Sequence, residues 1–261
     1  MKSGLKLAIS GKGGVGKTTI ASSLCHILAR QGKQVFAIDA DPDANLGMAL
    51  GFPPQALQQV VTIAHDRQLI RERTGAEPGS AGQWFSLNPS VEDIPERYVV
   101  SQDGIRLLQM GAVSAGGSGC ACPENTLLKT LLNHLIVDEQ DAVVVDMEAG
   151  LEHLGRGTAQ SVDALLIVVE QGQRSLTTAR TIVKLAEDLG IPRVYGIANK
   201  LVDTTLDVLQ GQLGSELELV GAIPYTPAAV TCDFQGRRVV DACPALVSEV
   251  EQVLHRVQIR L

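Results

Sequence analysis

Aromatic residues are scarce in this chain of 261 residues: Phe, Trp and Tyr together make up 3%, with a single Trp. The core must therefore be built from Val, Leu, Ile and Ala. Long apolar runs are also missing, and none approaches the roughly 18–20 residues that a membrane span requires. The first residues lead straight into a short strand, without the charged-then-apolar pattern of a signal peptide. These absences predict a cytoplasmic protein that has no membrane partner.

An excess of basic residues is missing too. Lys and Arg number 22 against 29 Asp and Glu, which gives a net charge of −7. An acidic chain lacks the long-range attraction that non-specific binding to nucleic acid needs, so we expect no nucleic-acid partner. The cysteines number five, and an odd number argues against a full disulfide framework. We therefore expect them to be thiols.

Short apolar runs alternate along the chain with longer amphipathic stretches. The runs, rich in β-branched residues, are Leu5–Ser10, Gln34–Ala40, Ala142–Asp146, Ala164–Glu170, Val194–Asn199 and Leu217–Ile223. The helical patterns are Lys17–Gln31, Glu124–Glu139, Arg174–Leu189 and Ala245–Arg260. This alternation predicts an α/β fold, a single domain over residues 1–261 with a doubly wound, mostly parallel sheet flanked by helices.

Residues 66–103 break this rhythm. They include the turn-rich stretch 77–82 and few regularly spaced apolar positions. We interpret them as an irregular excursion within the domain, partly ordered and on the surface. A partner-binding insertion is the alternative.

A phosphate-binding loop is the clearest motif. Residues 11–18 read GKGGVGKT and fit the pattern G-x-x-x-x-G-K-[ST] between an apolar run and a helical pattern, which is the context the motif needs. Lys17 is expected to reach the β- and γ-phosphates of ATP, and the Thr18 hydroxyl to bind Mg²⁺. The predicted nucleotide contacts in the loop are Gly11, Lys12, Gly13, Gly14, Val15, Gly16, Lys17, Thr18 and Thr19.

The extra lysine of the loop, Lys12, carries a family resemblance. With it the loop reads K-G-G-x-G-K-[ST], the deviant Walker A form, and so resembles the superfamily of dimeric ATPases that includes the nitrogenase iron protein, MinD and ParA. The resemblance implies a homodimer in which Lys12 crosses to the partner's nucleotide. A cation supplied in trans stabilises phosphoryl charge in the transition state.

Acidic residues follow two of the apolar runs. By similarity to the superfamily, Asp41 orients or deprotonates the attacking water, and Asp39 is an outer-shell partner of Mg²⁺. Asp146 ends an apolar run in the Walker B manner and is expected to hold Mg²⁺ through water. Gly150 follows it in the position of switch II, where a glycine admits the γ-phosphate.

Two further segments resemble the base-contacting loops of the superfamily. Asn199 and Lys200 correspond to an N-K pair that contacts adenine, and an Asn amide can pair with both a donor and an acceptor on a purine edge. Pro224 and Tyr225 match the second base-contacting loop. The alternative for all four is that they are ordinary polar residues where strands end.

Cys120 and Cys122 form the second chemical signature. A glycine-rich stretch precedes them and a helical pattern begins at or after Pro123, so the helix dipole lowers the pKa of the thiols and favours the thiolates that metals need. One C-x-C pair supplies two ligands, whereas closed thiolate sites take four. A twofold dimer would bring two pairs together. Two buried thiols or a redox-active pair are the alternatives.

Several segments together resemble one branch of the superfamily, the CooC/AcsF-type maturation ATPases that serve nickel insertion. These segments are Asp39–Asp43, Gly119–Glu124, Asp146–Gly157 and Val169–Ser175. The resemblance implies an ATP-dependent metallochaperone for carbon monoxide dehydrogenase or acetyl-CoA synthase. It also implies nucleotide- and metal-dependent dimers that hold one Ni²⁺ between Cys120 and Cys122 of two chains. Thiolates also take Zn²⁺, so ligand type alone does not select nickel.

Two other functions compete with this interpretation. A positioning ATPase of the ParA or MinD kind would use the C-terminal apolar stripe on a membrane, although the polar side of that helix lacks a basic excess. The stripe consists of Val247, Val250, Val253, Leu254, Val257 and Leu261, and packing against the sheet is the favoured interpretation. An iron–sulfur carrier ATPase is the second rival, but a one-residue cysteine spacing favours a mononuclear site.

Overall fold

The architecture was analysed in a computed structural model that describes residues 4–78, 84–111, 123–138, 142–151, 154, 156–202 and 204–261. The strands are β1 (Leu5–Gly11), β2 (Val35–Ala40), β3 (Val100–Gln102), β4 (Ile105–Gln109), β5 (Ala142–Met147), β6 (Ala164–Val169), β7 (Val194–Leu201) and β8 (Glu218–Pro224). They form an eight-stranded sheet in the order β3-β4-β2-β5-β1-β6-β7-β8, in which only β3 is antiparallel to its neighbour. The predicted doubly wound, mostly parallel sheet is confirmed.

Twelve α-helices lie in the described residues. They are α1 (Lys17–Arg30), α2 (Leu46–Ala49), α3 (Pro54–Leu57), α4 (Arg67–Thr74), α5 (Ile94–Tyr98), α6 (Pro123–Asp138), α7 (Arg156–Ser161), α8 (Gln173–Leu189), α9 (Leu206–Leu213), α10 (Pro227–Phe234), α11 (Val239–Ala242) and α12 (Pro244–Arg260), with a 3₁₀ turn at Ile63–His65. The four helices expected from sequence are α1, α6, α8 and α12, each within a residue of its predicted ends.

The helices cover both faces of the sheet. Because successive side chains of a strand point to opposite faces, Val144 of β5 packs in the core beneath α1 and α12, while Val143 and Val145 pack in the core beneath α6 and α8. Burial of the strands on both faces explains why they read as continuous apolar runs.

The C-terminal helix α12 packs against the sheet, as favoured from sequence. Val250, Val253 and Val257 are buried in the core that α12 shares with α1 and β8, whereas Leu261 is 39% exposed. The apolar side of α12 is therefore covered by α1 and β8. No helix of the described residues is long and apolar enough to cross a bilayer.

In the described part of residues 66–103, short regular elements alternate with irregular chain. The segment contains α4, α5 and β3, and Leu69, Ile70 and Ile94 are buried in the core next to α6. The two helices are short and mostly polar, so they present no sustained apolar period to a sequence window. The Asp66 carboxylate caps α4 by accepting from the Leu69 N–H over 2.9 Å, and it also accepts from the Tyr98 hydroxyl.

The sequence analysis also missed the β3–β4 hairpin. Asp103 and Gly104, which join the two strands, have φ angles of 51° and 78°, as a two-residue type I′ turn requires. The Asp-Gly pair was a signal that could have revealed the hairpin. The second strand of the hairpin, β4, pairs parallel with β2, so Gln109 lies beside Asp39 in the sheet.

Candidate active site

The phosphate loop connects β1 to α1 at the carboxyl edge of the sheet. Gly11, Gly14 and Gly16 have φ angles of 149°, 81° and 96°, a region that side chains disfavour. A Cβ on Gly11 would lie 2.5 Å from the Val168 carbonyl oxygen, so the loop leaves the sheet in close contact with β6. Val15 is fully buried and anchors the loop in the core. The backbone N–H groups and the N-terminus of α1 are thereby held ready for phosphate.

Thr18 and Asp146 join the phosphate loop to β5. The Thr18 hydroxyl donates to Asp146 Oδ2 over 2.7 Å. Asp146 is 1% exposed, and its Oδ1 atom has no hydrogen-bond partner among the described residues. Burial raises the pKa of Asp146 to about 6, against the opposing effects of Thr18 and Lys17. A buried carboxylate oxygen in need of a partner, beside a hydroxyl, fits a Mg²⁺ site in donor chemistry.

The two aspartates that follow β2 have different surroundings. Asp39 is fully buried, and its carboxylate accepts from the N–H groups of Asp41 (3.3 Å) and Leu46 (2.9 Å). Burial, helped by Asp146 opposite it on β5 and opposed by the bound N–H groups, raises the pKa of Asp39 to about 7. Asp39 therefore shapes the loop that carries Asp41.

Asp41 lies at the mouth of the phosphate loop. Its Oδ2 atom is 3.8 Å from the Lys17 ammonium, and its Oδ1 atom accepts from the Asp43 N–H. The side chains of Lys17 and Asp41 are 8% and 20% exposed, so the ion pair is largely shielded from water. No side chain of Asp43 or Asn45 caps α2, because the Leu46 N–H at the start of that helix donates to Asp39 instead.

Asn199 and Lys200 support the phosphate loop from β7. Asn199 Nδ2 donates to the Val15 carbonyl over 2.7 Å, and the Lys200 ammonium donates to the Gly14 carbonyl over 2.6 Å. Lys200 adopts a left-handed φ of 56°, which turns the strand end toward the loop. Both side chains thus bind carbonyl groups of the phosphate loop, and their contact with a base stays a prediction.

A cleft of about 540 Å³ opens beside the loop, a volume typical of small-molecule sites. Lys17, Thr18 and Asp41 line one side of it. The opposite wall comes from α10 and the residues after it, which the sequence analysis did not select: Ala229, Val230, Asp233, Gly236, Arg237 and Val239. No local motif marks these residues, because only the packing of α10 and α11 in the folded chain brings them to the cleft.

The other predicted residues divide into three groups. Lys12 is half-buried on the loop. Gly150 is half-buried three residues after the end of β5, and the carbonyl of Glu148, the first residue after that strand, accepts a hydrogen bond from the Ser10 hydroxyl. Pro224 ends β8 and Tyr225 follows it, and neither residue lines the cleft. Cys120 and Cys122 lie outside the described residues, directly before α6, which begins at Pro123 as expected. Within the described residues, no group of three or more potential ligands could hold a metal ion.

The loop, its lysine, the Thr18–Asp146 pair and the parallel sheet define a P-loop nucleoside triphosphatase. Comparison with known proteins gives the family. The chain belongs to the CobQ/CobB/MinD/ParA nucleotide-binding domain family, whose model matches residues 6–239.

Two curated relatives align over nearly the whole chain. The carbon monoxide dehydrogenase accessory protein CooC of Rhodospirillum rubrum is 47% identical over 241 residues, which is 92% of this chain and 91% of that protein. An uncharacterized ATP-binding protein of Methanocaldococcus jannaschii is 39% identical over 254 residues, 96% of each chain. The chain is therefore a CooC-type member of the family, as the sequence motifs indicated.

Solved structures agree on the fold. The MinD cell division protein of Aquifex aeolicus superposes with a TM-score of 0.67 at 23% identity, covering 97% of both chains. A ParA family ATPase from Chlorobium tepidum gives 0.70 at 19% identity, covering 97% of this chain and 99% of that one. The P-loop ATPase fold predicted from sequence is confirmed.

Proposed function

We propose that this protein is an ATP-driven metallochaperone that delivers nickel to carbon monoxide dehydrogenase in the cytoplasm. The observation that carries the proposal is the 47% identity to an accessory protein of that enzyme, over 92% of the chain. Two features of the chain support it further: the phosphate-binding site, and a cysteine pair that ATP hydrolysis alone does not need. Acetyl-CoA synthase is the alternative client that the sequence motifs allow.

ATP hydrolysis is assigned to three side chains. Lys17 holds the β- and γ-phosphates, Asp41 positions the attacking water, and Lys12 of one chain stabilises phosphoryl charge in the other chain of a homodimer. Thr18 and Asp146 would hold Mg²⁺, which neutralises phosphate charge when bound. The half-buried position of Lys12 and the burial of Lys17 support this division of roles.

The cargo site is assigned to Cys120 and Cys122 of two chains. Four thiolates suit Ni²⁺ and equally Zn²⁺, so the preference for nickel rests on the relationship to CooC. ATP-dependent closure of the dimer would bring the two pairs together, and hydrolysis would separate them and release the metal to the client. The dimer therefore couples nucleotide state to metal affinity.

The two rival functions gain less support. A membrane-positioning ATPase of the MinD kind would need a free amphipathic helix, whereas the apolar stripe of α12 is buried against β8 and α1. An iron–sulfur carrier would use the same cysteines for a cluster, and the test of the cargo site separates the two.

The decisive experiment is an anaerobic nickel titration with ADP or ATP present, read by metal analysis and by light scattering. The expected result is one Ni²⁺ per two chains, lost in the Cys120→Ala/Cys122→Ala variant. A matched control, Cys232→Ala/Cys243→Ala, removes two cysteines elsewhere and should keep the stoichiometry. Tight nickel binding by the first variant, or a cluster chromophore in the native protein, would contradict the proposal.

A further inference from the structure

Two cysteines that the proposed function does not use lie in direct contact. Cys232 lies on α10 and Cys243 immediately precedes α12, and their Sγ atoms are 3.8 Å apart although the residues are 11 positions apart in sequence. Each is 3% exposed. The third described cysteine, Cys25, is buried on α1. The fold has therefore brought two thiols together in a closed, apolar place.

The surroundings of this pair limit its chemistry. Both cysteines belong to the apolar core that includes Val240, Leu246 and Val247. Because no group of three or more potential metal ligands exists within the described residues, the pair is not part of a multidentate metal site there. The remaining reaction is bond formation between the two sulfurs. A disulfide has an S–S length of about 2.05 Å, so the sulfurs must approach by about 1.8 Å.

The chain between the two cysteines forms part of the wall of the nucleotide cleft. Asp233, Gly236, Arg237 and Val239 line that cleft, and Ala229 and Val230 line it from the same helix as Cys232. Ala229 and Cys232 are three positions apart on α10, so the thiol lies on the side of the helix next to the one that lines the cleft.

The middle of the wall is held independently of the thiols. Arg238 forms ion pairs with Asp103 (3.1 Å) and Asp241 (2.6 Å) and so links the segment to the β3–β4 turn. The ion pair with Asp103 therefore gives the segment a second attachment besides the contact between the two thiols.

We propose that Cys232 and Cys243 form a reversible disulfide, and that this bond draws α10 toward the core and weakens nucleotide binding. The oxidant is a small-molecule disulfide of the glutathione class. One cysteine loses its proton to solvent and attacks oxidised glutathione, releasing a glutathione thiolate that takes up a proton. The second cysteine then attacks the mixed disulfide and releases the second glutathione in the same way. Two thiols are oxidised and one glutathione disulfide is reduced.

The same contact keeps the pair reduced in the resting protein. Burial and the neighbouring Cys232 raise the pKa of the Cys243 thiol, which disfavours the nucleophilic thiolate while the pair stays buried. Nucleotide in the cleft occupies the space along the outer side of α10. Binding free energies are reciprocal, so nucleotide must disfavour the disulfide by the factor by which the disulfide weakens nucleotide binding.

The test uses the full chain in a Cys120→Ser/Cys122→Ser background, which leaves only Cys25, Cys232 and Cys243. After equilibration in glutathione redox buffers, trypsin cleaves after Arg237 and Arg238, so a disulfide joins peptides 201–237 and 239–256. We expect this linked pair by mass spectrometry. We also expect the Kd of a fluorescent ADP analogue to rise about fivefold or more, and to return on reduction with dithiothreitol.

Three variants make the test specific. Cys232→Ser and Cys243→Ser should each lose the response of Kd to oxidation, whereas Cys25→Ser should respond as the parent does. Saturating ADP should shift the glutathione ratio for half-oxidation by the factor measured for Kd. Failure to form the linked pair, a link between two chains instead of within one, or a linked pair with unchanged Kd would each overturn the proposal. Because no metal is used, a failure of the nickel proposal leaves this outcome unaffected.

Discussion

The side-chain amide of Asn199 donates a 2.7 Å hydrogen bond to the carbonyl of Val15, at the centre of the phosphate loop. Asn199 is 6% exposed and Val15 is fully buried, so no water can replace this bond without movement of the loop. The strand end of β7 therefore fixes the conformation of a loop 184 residues earlier in the chain.

Replacement of Asn199 by alanine should weaken nucleotide binding. The buried Val15 carbonyl would lose its partner, at a cost of about 1–3 kcal/mol, which corresponds to a roughly 5- to 150-fold higher Kd for ADP if all of it is lost from binding. Isothermal titration calorimetry checks this value. Asn88→Ala, a change of the same type at an exposed loop position, should leave the Kd unchanged. Equal affinities of the two variants would argue against a supporting role for Asn199.

Replacement of Gly16 by alanine should abolish nucleotide binding. The new Cβ would lie 2.4 Å from Asn199 Nδ2, and the φ angle of 96° is itself unfavourable for alanine. Gly211→Ala on α9 is the matched change, because nothing lies within 4 Å of its Cβ position and helices favour alanine by about 0.5–1 kcal/mol. Urea unfolding and ADP titration should show a stable, binding-competent Gly211→Ala and a defective Gly16→Ala. A Gly16→Ala variant with native affinity would contradict the close contact.

The parts of this site that follow strands could be predicted from sequence. Burial on both faces makes β1, β2, β5 and β7 read as apolar runs, and the polar residues after them meet at one edge of the sheet. What escaped prediction depends on long-range packing. The residues of α10 that line the cleft have no sequence motif. They face the cleft because the rest of the helix packs against the apolar core. Asn199 was selected as a base contact, whereas its bond to Val15 follows from the approach of β7 to the loop.

Mixing two inactive variants should test whether Lys12 acts in the partner chain. Lys12→Ala and Asp41→Ala should each lose ATP turnover, while Asp41→Ala still binds nucleotide. In a mixed dimer, Lys12 of the Asp41→Ala chain can serve the site that retains Asp41. An equimolar mixture should therefore recover about a quarter of native turnover, because half of the dimers are mixed and each has one complete site.

Phosphate release on ATP addition measures this recovery. The control is a mixture of Lys17→Ala with Asp41→Ala. Lys17 is buried between the loop and Asp41 of its own chain and cannot be supplied in trans, so this mixture should stay inactive. Recovery in both mixtures, or in neither, would contradict the assignment of Lys12 to the partner's site.

The cap of α4 should make the 66–103 segment sensitive to acid. Although partial burial opposes it, the hydrogen bonds from Leu69 and Tyr98 hold the pKa of Asp66 below its usual range. A depressed carboxylate pKa stabilises the fold above the unfolded-state value near 4, and this contribution is lost as the pH falls through the folded pKa. Asp66→Ala should lower the free energy of unfolding by about 1–2 kcal/mol at pH 7 and by less at pH 3.

Urea unfolding at the two pH values measures the difference. Asp188→Ala, at an exposed position on α8, should change the free energy of unfolding by less than about 0.5 kcal/mol at either pH. A pH-independent effect of Asp66→Ala would exclude its ionised form as the source of the stability.

The contact between Lys17 and Asp41 has a consequence for the order of events in the cleft. One ammonium group lies 3.8 Å from the carboxylate assigned to position water, and the same ammonium is the one expected to receive phosphate. Phosphate and carboxylate thus compete for a single positive charge. Arrival of the triphosphate would draw the ammonium away, so the aspartate would be free to position water when there is ATP to hydrolyse. Binding of ATP would itself prepare the site for hydrolysis.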